Sequence, residues 1–100
     1  METRTPSRLK SARKAAGLTQ QQLGMALGME PNTASARMNQ YEKGKHAPDF
    51  LTMKRIANEL DVPVAYFYCE EDILAELILE LGKLDTLQLE RKLQEFKQGK

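Results

Sequence analysis

TQQQLGMALGMEPNTASARMNQYEKG, residues 19–44, reads as two short helices meeting at a tight turn, and the rest of the chain is arranged to hold it. Thr19 and Gln22 have the spacing of a capping box, in which each side chain satisfies an orphan main-chain N–H at a helix start. Leu23, Ala26 and Leu27 come next at i, i+3 and i+4 as one apolar face, and Gly28 is the kind of residue that ends a helix. Glu30-Pro31-Asn32 is a restart signal, because the residue before proline avoids the helical region while proline suits the first helical position. The spacing predicts a second helix from Asn32 or Thr33 to Lys43.

In that second helix Ala34, Met38 and Tyr41 fall at i, i+4 and i+7 and form an inner face, leaving Ser35, Ala36, Arg37, Asn39 and Gln40 on the flanks and outside. Arg, Asn and Gln carry the paired donors and acceptors that match guanine and adenine edges in the major groove.

At these residues the chain resembles the lambda-repressor/Cro-like helix-turn-helix regulators, the XRE family. GLTQQQLGMALGM is similar to the family's second-helix pattern, Gly-Leu-Ser/Thr-Gln followed by Leu-Ala-x-x-Leu-Gly-hydrophobe. QYEKGKHAPDFLTMKRIANELDVP is similar to the family's next segment, where a hydrophobe, Glu, any residue and Gly close the recognition helix before a Pro and another amphipathic helix. The resemblance covers residues 6 to 69 and implies an all-α, five-helix lambda-repressor-like DNA-binding bundle. It further implies a structural ion pair for Arg13 and a place for Gln20 against the DNA backbone or an outer base.

Two departures stand out. Gly24 occupies a slot where the family has Ala, meeting the need for a small residue at the helix crossing while giving up about 1 kcal/mol of helix propensity. The span from Gly28 to Gly44 is longer than usual by four residues, about one helical turn, placed within Met29 to Arg37. Either the recognition helix is extended at its N-terminus or the turn before it is longer.

A chain of 100 residues, 41% of them hydrophobic, amounts to one core, with room for an appendage. The net charge of +1 conceals an asymmetry. Met1 to Pro48 holds Arg4, Arg8, Lys10, Arg13, Lys14, Arg37, Lys43 and Lys45 against Glu2, Glu30 and Glu42, or +5, so the remainder carries −4. That division suits a basic half facing phosphates and an acidic half facing away. No apolar run is long enough for a bilayer, and the first residues lack the apolar core of a secretory signal, so a cytoplasmic, bacterial or phage-encoded, nucleoid-associated protein is expected. Cys69 stands alone, excluding an intramolecular disulfide, and reads as a small, partly buried hydrophobe.

In chain order, residues 1–5 read as a mobile tail, after which Thr5-Pro6 or Ser7 caps a first helix to Ala16 with Leu9, Ala12 and Ala16 on one side and Arg8, Lys10, Arg13 and Lys14 around the rest. Beyond the recognition helix, Lys43 and Lys45 sit in a basic Gly- and Pro-containing loop suited to phosphates. The lone His46 makes a metal site improbable on ligand count. Asp49 caps a fourth helix, Phe50 to Leu60, with Leu51, Met53, Ile56, Ala57 and Leu60 toward the core, and Val64 to Tyr68 is a fifth. Met25, Met29, Met38 and Met53 read as core filler.

Residues 70–100 continue as a pair of amphipathic helices. Leu74, Leu77, Ile78 and Leu81 form one stripe; Asp85 caps the second helix, where Leu89, Leu93 and Phe96 form another with Leu87 beside them. These stripes exceed what a lone hairpin buries, so a homodimer through residues 70–100 is expected, with packing of the two helices on the chain's own bundle as the alternative. There is no nucleophile–base set, phosphate-cradling loop or metal cluster, which points away from an enzyme and from any cofactor. The expected function is sequence-specific double-stranded DNA binding as a transcriptional repressor on a pseudo-palindromic operator. Thr33, Ser35, Ala36, Arg37, Asn39 and Gln40 are the base-readout set and Gln20, Lys43 and Lys45 the phosphate set. The alternative is a helix-turn-helix scaffold serving a protein partner, as in an antitoxin or adaptor.

Overall fold

The computed structural model describes residues 3–99; Met1 and Glu2 of the expected tail, and Lys100, lie outside the described residues. Seven helices and no strand occur among them: α1 (Thr5–Ala15), α2 (Gln20–Ala26), α3 (Pro31–Glu42), α4 (Phe50–Leu60), α5 (Ala65–Tyr68), α6 (Asp72–Leu81) and α7 (Thr86–Gln98). The molecule measures 53 × 30 × 22 Å.

The core is built from one stripe per helix. Leu9 and Ala12 of α1, Leu23 of α2, Met38 of α3, Met53, Ile56, Ala57 and Leu60 of α4, and Tyr66 and Phe67 of α5 are all buried. Leu51 is instead 71% exposed. It precedes Met53 by two residues, about 200° around a helix of 3.6 residues per turn, so the Met53, Ile56, Ala57, Leu60 face turns it outward. Ala26 is exposed and Met25 half-exposed, leaving Leu23 and Leu27 as the buried side of α2, whereas Met29 packs against the core.

The start of α1 also differs from its sequence reading. Arg4 occupies the N-cap, and its side chain makes no capping hydrogen bond but pairs with Asp72 Oδ2 at 3.7 Å. Thr5 Oγ1 donates instead to Phe67 O, 62 residues away, at 2.8 Å, and Ser7 Oγ donates to Arg4 O. Arg8, expected on the surface, is 8% exposed. Its Nε donates to Cys69 O at 2.8 Å, its Nη2 to Asp72 Oδ1 at 3.0 Å, and its guanidinium lies 5.5 Å from the Tyr66 ring centroid. A cation over an aromatic face with its N–H groups satisfied tolerates burial. Arg8 thereby clamps the start of α6 to α1.

On α6, Ala75 is fully buried while Ile78 and Leu79 pack against the core, so the face toward the bundle runs Ala75, Ile78, Leu79, Gly82. A Cβ on Gly82 would lie 2.5 Å from Pro63 Cγ, so glycine permits this approach. The expected stripe is thus divided: Ile78 turns inward, and Leu74 and Leu77 remain 47% and 50% exposed. Helix α7 opens on a complete capping box between Asp85 and Gln88 and buries no residue.

Candidate nucleic-acid interface

The two helices that would meet DNA are fixed by local rules first. Thr19 Oγ1 accepts from Gln22 N at 3.0 Å and Gln22 Oε1 accepts from Thr19 N at 2.9 Å, closing the capping box that starts α2. After Leu27 the chain turns at Gly28, whose φ of +95° lies where a side chain is strained. Met29 N donates to Gly24 O, and Arg55 of α4 donates to Leu27 O, pinning the turn from both sides. Glu30 is extended, as a residue before proline must be, and α3 begins at Pro31. Only residues 27–30 separate the two helices, and α3 is 12 residues long. The four additional residues therefore lengthen the helix and not the turn.

Gly24 is where α2 and α3 come closest. A Cβ built there would stand 2.6 Å from the Ala34 Cβ and 2.9 Å from its Cα. Even alanine is too large for this crossing, so the departure at Gly24 is a packing requirement rather than a tolerated loss of propensity.

Behind the exposed face lies a polar seam. Arg13 Nε donates to Glu42 Oε2 at 2.5 Å, Nη2 to Glu42 Oε1 at 3.1 Å, and Nη1 to Leu18 O at 2.8 Å. Both side chains are buried, and the bidentate geometry with a third bond to main chain is what a buried pair needs to offset desolvation. Arg13 thus has the structural ion pair that the resemblance implied. Sequence reasoning misses Glu42 as its partner, although the place of this residue in the hydrophobe-Glu-x-Gly run marks it. Gln20 Nε2 then donates to Glu42 Oε1 at 3.1 Å and to Asn39 Oδ1 at 3.2 Å, linking α2 to α3 across the seam.

Of the anticipated contact residues, Thr33, Ser35, Ala36 and Arg37 are exposed on α3, with Thr33 Oγ1 donating to Glu30 O. Asn39 and Gln40 are half-buried beside them. Lys43 and Lys45 are exposed just past the helix, in a loop held by Lys45 N donating to Gln40 O at 3.0 Å. An open groove beside that loop is lined by Arg4, Lys10, Tyr41, Lys43, His46 and Tyr68 among others, so cations continue from α3 toward α1. At its border Asp49 caps α4; hydrogen bonds from the Thr52 main chain and side chain hold its carboxyl below the usual carboxylate range. Tyr68 is shifted the other way, by partial burial first and the neighbouring Asp49 charge second. No group of side chains suited to a metal ion occurs among the described residues, and none of their helices is long and apolar enough to cross a membrane.

A comparison with curated proteins matched none of them. A family profile described as Helix-turn-helix matches residues 9–67. Among solved structures, the crystal structure of transcriptional regulator BswR superposes with a TM-score of 0.84 and 49% sequence identity, covering 91% of this chain and 89% of that one. At that coverage the match to BswR extends past the five-helix bundle into the C-terminal pair. With α2 and α3 joined by a tight turn inside a five-helix bundle, and a profile spanning more than half its length, the chain belongs to the XRE-type helix-turn-helix family of DNA-binding transcriptional regulators, a family of non-enzymes.

Proposed function

We propose that this protein is a sequence-specific repressor that binds double-stranded DNA as a homodimer, setting one α3 from each copy into successive major grooves of a pseudo-palindromic operator. The observation that carries the reading is the charge of α3: its sole acid, Glu42, is buried against Arg13, so the exposed face of the helix carries no acid and one cation, Arg37. A helix with such a face, followed by Lys43 and Lys45, can approach phosphates and bases without repulsion. Thr33, Ser35, Ala36, Arg37, Asn39 and Gln40 then meet base edges, and Lys43 and Lys45 neutralise phosphates. Gln20 stands at the border between the two sets.

Residues 6–69 act as the DNA-binding unit and residues 70–100 as the assembly element. Ile73, Leu74, Leu77, Leu87, Leu89, Leu93 and Phe96 are all exposed on α6 and α7. A 13-residue helix with no buried residue has little tertiary support and is marginal alone in water, so α7 calls for a partner surface. A second copy supplies an identical apolar stripe and the two-fold axis that a palindromic site requires. Repression follows from occupancy, since a dimer on its operator excludes other proteins from those base pairs.

Selection from a randomised duplex pool at about 150 mM salt, where phosphate attraction is weakened, tests this. A two-fold symmetric motif with half-sites about 34–36 Å apart is expected. A single unpaired motif would remove the homodimer from the reading. No enrichment from folded protein would sink it and turn attention to a protein partner of residues 70–100.

A further inference from the structure

The hydrogen-bond chain through Arg13, Glu42, Gln20 and Asn39 can run in one direction only. A guanidinium donates and never accepts, and a carboxylate gripped by two of its N–H groups can only accept. The Gln20 amide atom 3.1 Å from Glu42 Oε1 must therefore be the NH2 group. That same group lies 3.2 Å from Asn39 and turns the Asn39 carbonyl inward. Two polar atoms are left over, Gln20 Oε1 and Asn39 Nδ2. No buried side-chain polar atom among the described residues lacks a partner, so both of these reach solvent. The seam between α2 and α3 thus leaves one acceptor, on Gln20, and one donor, on Asn39, open to solvent. Their order is dictated by a buried arginine two residues back along the chain of bonds.

We propose that Glu42 is a positioning residue for base readout, fixing the polarity of the Gln20 and Asn39 amides so that together they match an adenine edge. Adenine offers the N7 acceptor to Asn39 Nδ2 and the N6 donor to Gln20 Oε1. Guanine offers two acceptors and would oppose Gln20 Oε1; thymine lacks a donor and cytosine lacks an acceptor in the major groove. The same argument takes the Gln20 side chain out of the phosphate set, because phosphate oxygens only accept and the atom Gln20 turns outward is itself an acceptor. An unpinned amide could rotate by half a turn and present either polarity, whereas the buried charge pair removes that freedom. This inference rests on the DNA-binding reading above.

Its test pairs duplex selection with side-chain amide NMR of the full chain free of DNA. The Gln20 NH2 protons should exchange with water about tenfold more slowly than those of the exposed Gln98. Equal exchange rates would overturn the proposal without reference to DNA. In selection, the wild-type chain should prefer adenine at one position of each half-site by about tenfold. Asn39→Asp keeps the inward acceptor for Gln20 but loses the outward donor, so that preference should fall to within about twofold while the other positions hold. An adenine preference that survives Asn39→Asp would overturn the proposal while leaving the DNA reading intact. Glu42→Gln, provided circular dichroism shows it folded, should move the Gln20 NH2 resonances and blur the same position; unmoved resonances would overturn the positioning role. A wild-type chain that enriches no motif although its Gln20 NH2 group is protected would overturn the DNA reading, and the adenine assignment with it.

Discussion

Helices α3 and α7 are nearly equal in length, at 12 and 13 residues, and opposite in circumstance. The former buries Ala34, Met38 and Glu42 inside its own chain; the latter carries Leu89, Leu93 and Phe96 at helical spacing and buries none of them. Periodicity identifies a face that must be covered, but it does not say whose surface covers it. In the bundle the answer lies within the chain; in the C-terminal pair, on the homodimer proposal, it lies in another molecule. The largest effect that could break this contrast comes from two phenylalanines. Phe67 is fully buried, and Phe67→Ala should cost about 3–5 kcal/mol at any protein concentration. Phe96 is 66% exposed, and Phe96→Ala should leave dilute protein within about 0.5 kcal/mol of wild type while weakening assembly, so its penalty should grow with concentration in urea denaturation. A penalty for Phe96→Ala that does not depend on concentration would place α7 on its own bundle.

The next effect concerns the joint between the two regions. Arg8 holds α6 to α1 through Cys69 O, Asp72 and the Tyr66 ring, and removing a nearly buried guanidinium with these bonds should cost about 1.5–3 kcal/mol. Asp72 is 65% exposed on its side chain, so Asp72→Asn should cost no more than about 1 kcal/mol, and less in high salt. Comparable losses for the two variants in thermal melts would show that the ion pair holds the joint, and not the bond to Cys69 O or the contact with Tyr66.

Legibility in the sequence divides along the same line. The capping boxes at Thr19 and Asp85, the N-cap at Asp49 and the turn at Gly28 depend on residues within one turn of each other, and the helices they bound lie where their spacing predicts. Long-range choices are illegible. Thr5 has the local chemistry of a helix cap, yet its hydroxyl bonds Phe67 O, and nothing near residue 5 encodes that. Arg8 reads as one of four surface cations, and only the fold brings Tyr66, Cys69 and Asp72 around it. At the candidate interface the exposed face of α3 is visible from periodicity alone. The link from Glu42 through Gln20 to Asn39 is not, because it depends on how two helices cross.

That crossing offers a smaller and more local test. By propensity, Gly24→Ala should stabilise α2 by about 1 kcal/mol. By packing, the new methyl meets Ala34 Cβ at 2.6 Å and main-chain atoms that cannot turn aside, and overpacking of this kind costs about 1–3 kcal/mol. The net should be a loss of about 1 kcal/mol. Gly24→Ala combined with Ala34→Gly should recover part of it, since the contact between the two Cβ atoms is removed while those to the main chain at residue 34 remain and α3 accepts a glycine. A Gly24→Ala chain more stable than wild type would mean that α2 and α3 can separate by a methyl group at little cost.

The smallest expected effect is one of pH, and it tests whether the α4 cap belongs to the firm region. Hydrogen bonds from Thr52 stabilise the charged form of Asp49, lowering its pKa in the folded chain below the ordinary 3.8. A carboxyl shifted in this direction binds fewer protons folded than unfolded, so its contribution is complete above 3.8 and is lost as pH falls through the lower, folded value. Asp49→Asn retains a good N-cap but removes the titration. Melting temperatures of wild type and Asp49→Asn should therefore run parallel at neutral pH and converge or cross below 3.8, where the wild type alone loses its charged cap. The substitution also acts at the alkaline end. Partial burial and then the Asp49 charge raise the Tyr68 pKa above 10.0, a contribution fully present below that value and lost as pH rises through the folded one. Neutralising Asp49 removes the second cause and leaves the first, so the absorbance titration of Tyr68 should move back toward 10.0 without reaching it. A Tyr68 titration indifferent to Asp49→Asn, alongside an unchanged acid limb, would mean that the loop between α3 and α4 opens freely and that the firm region ends at Lys43.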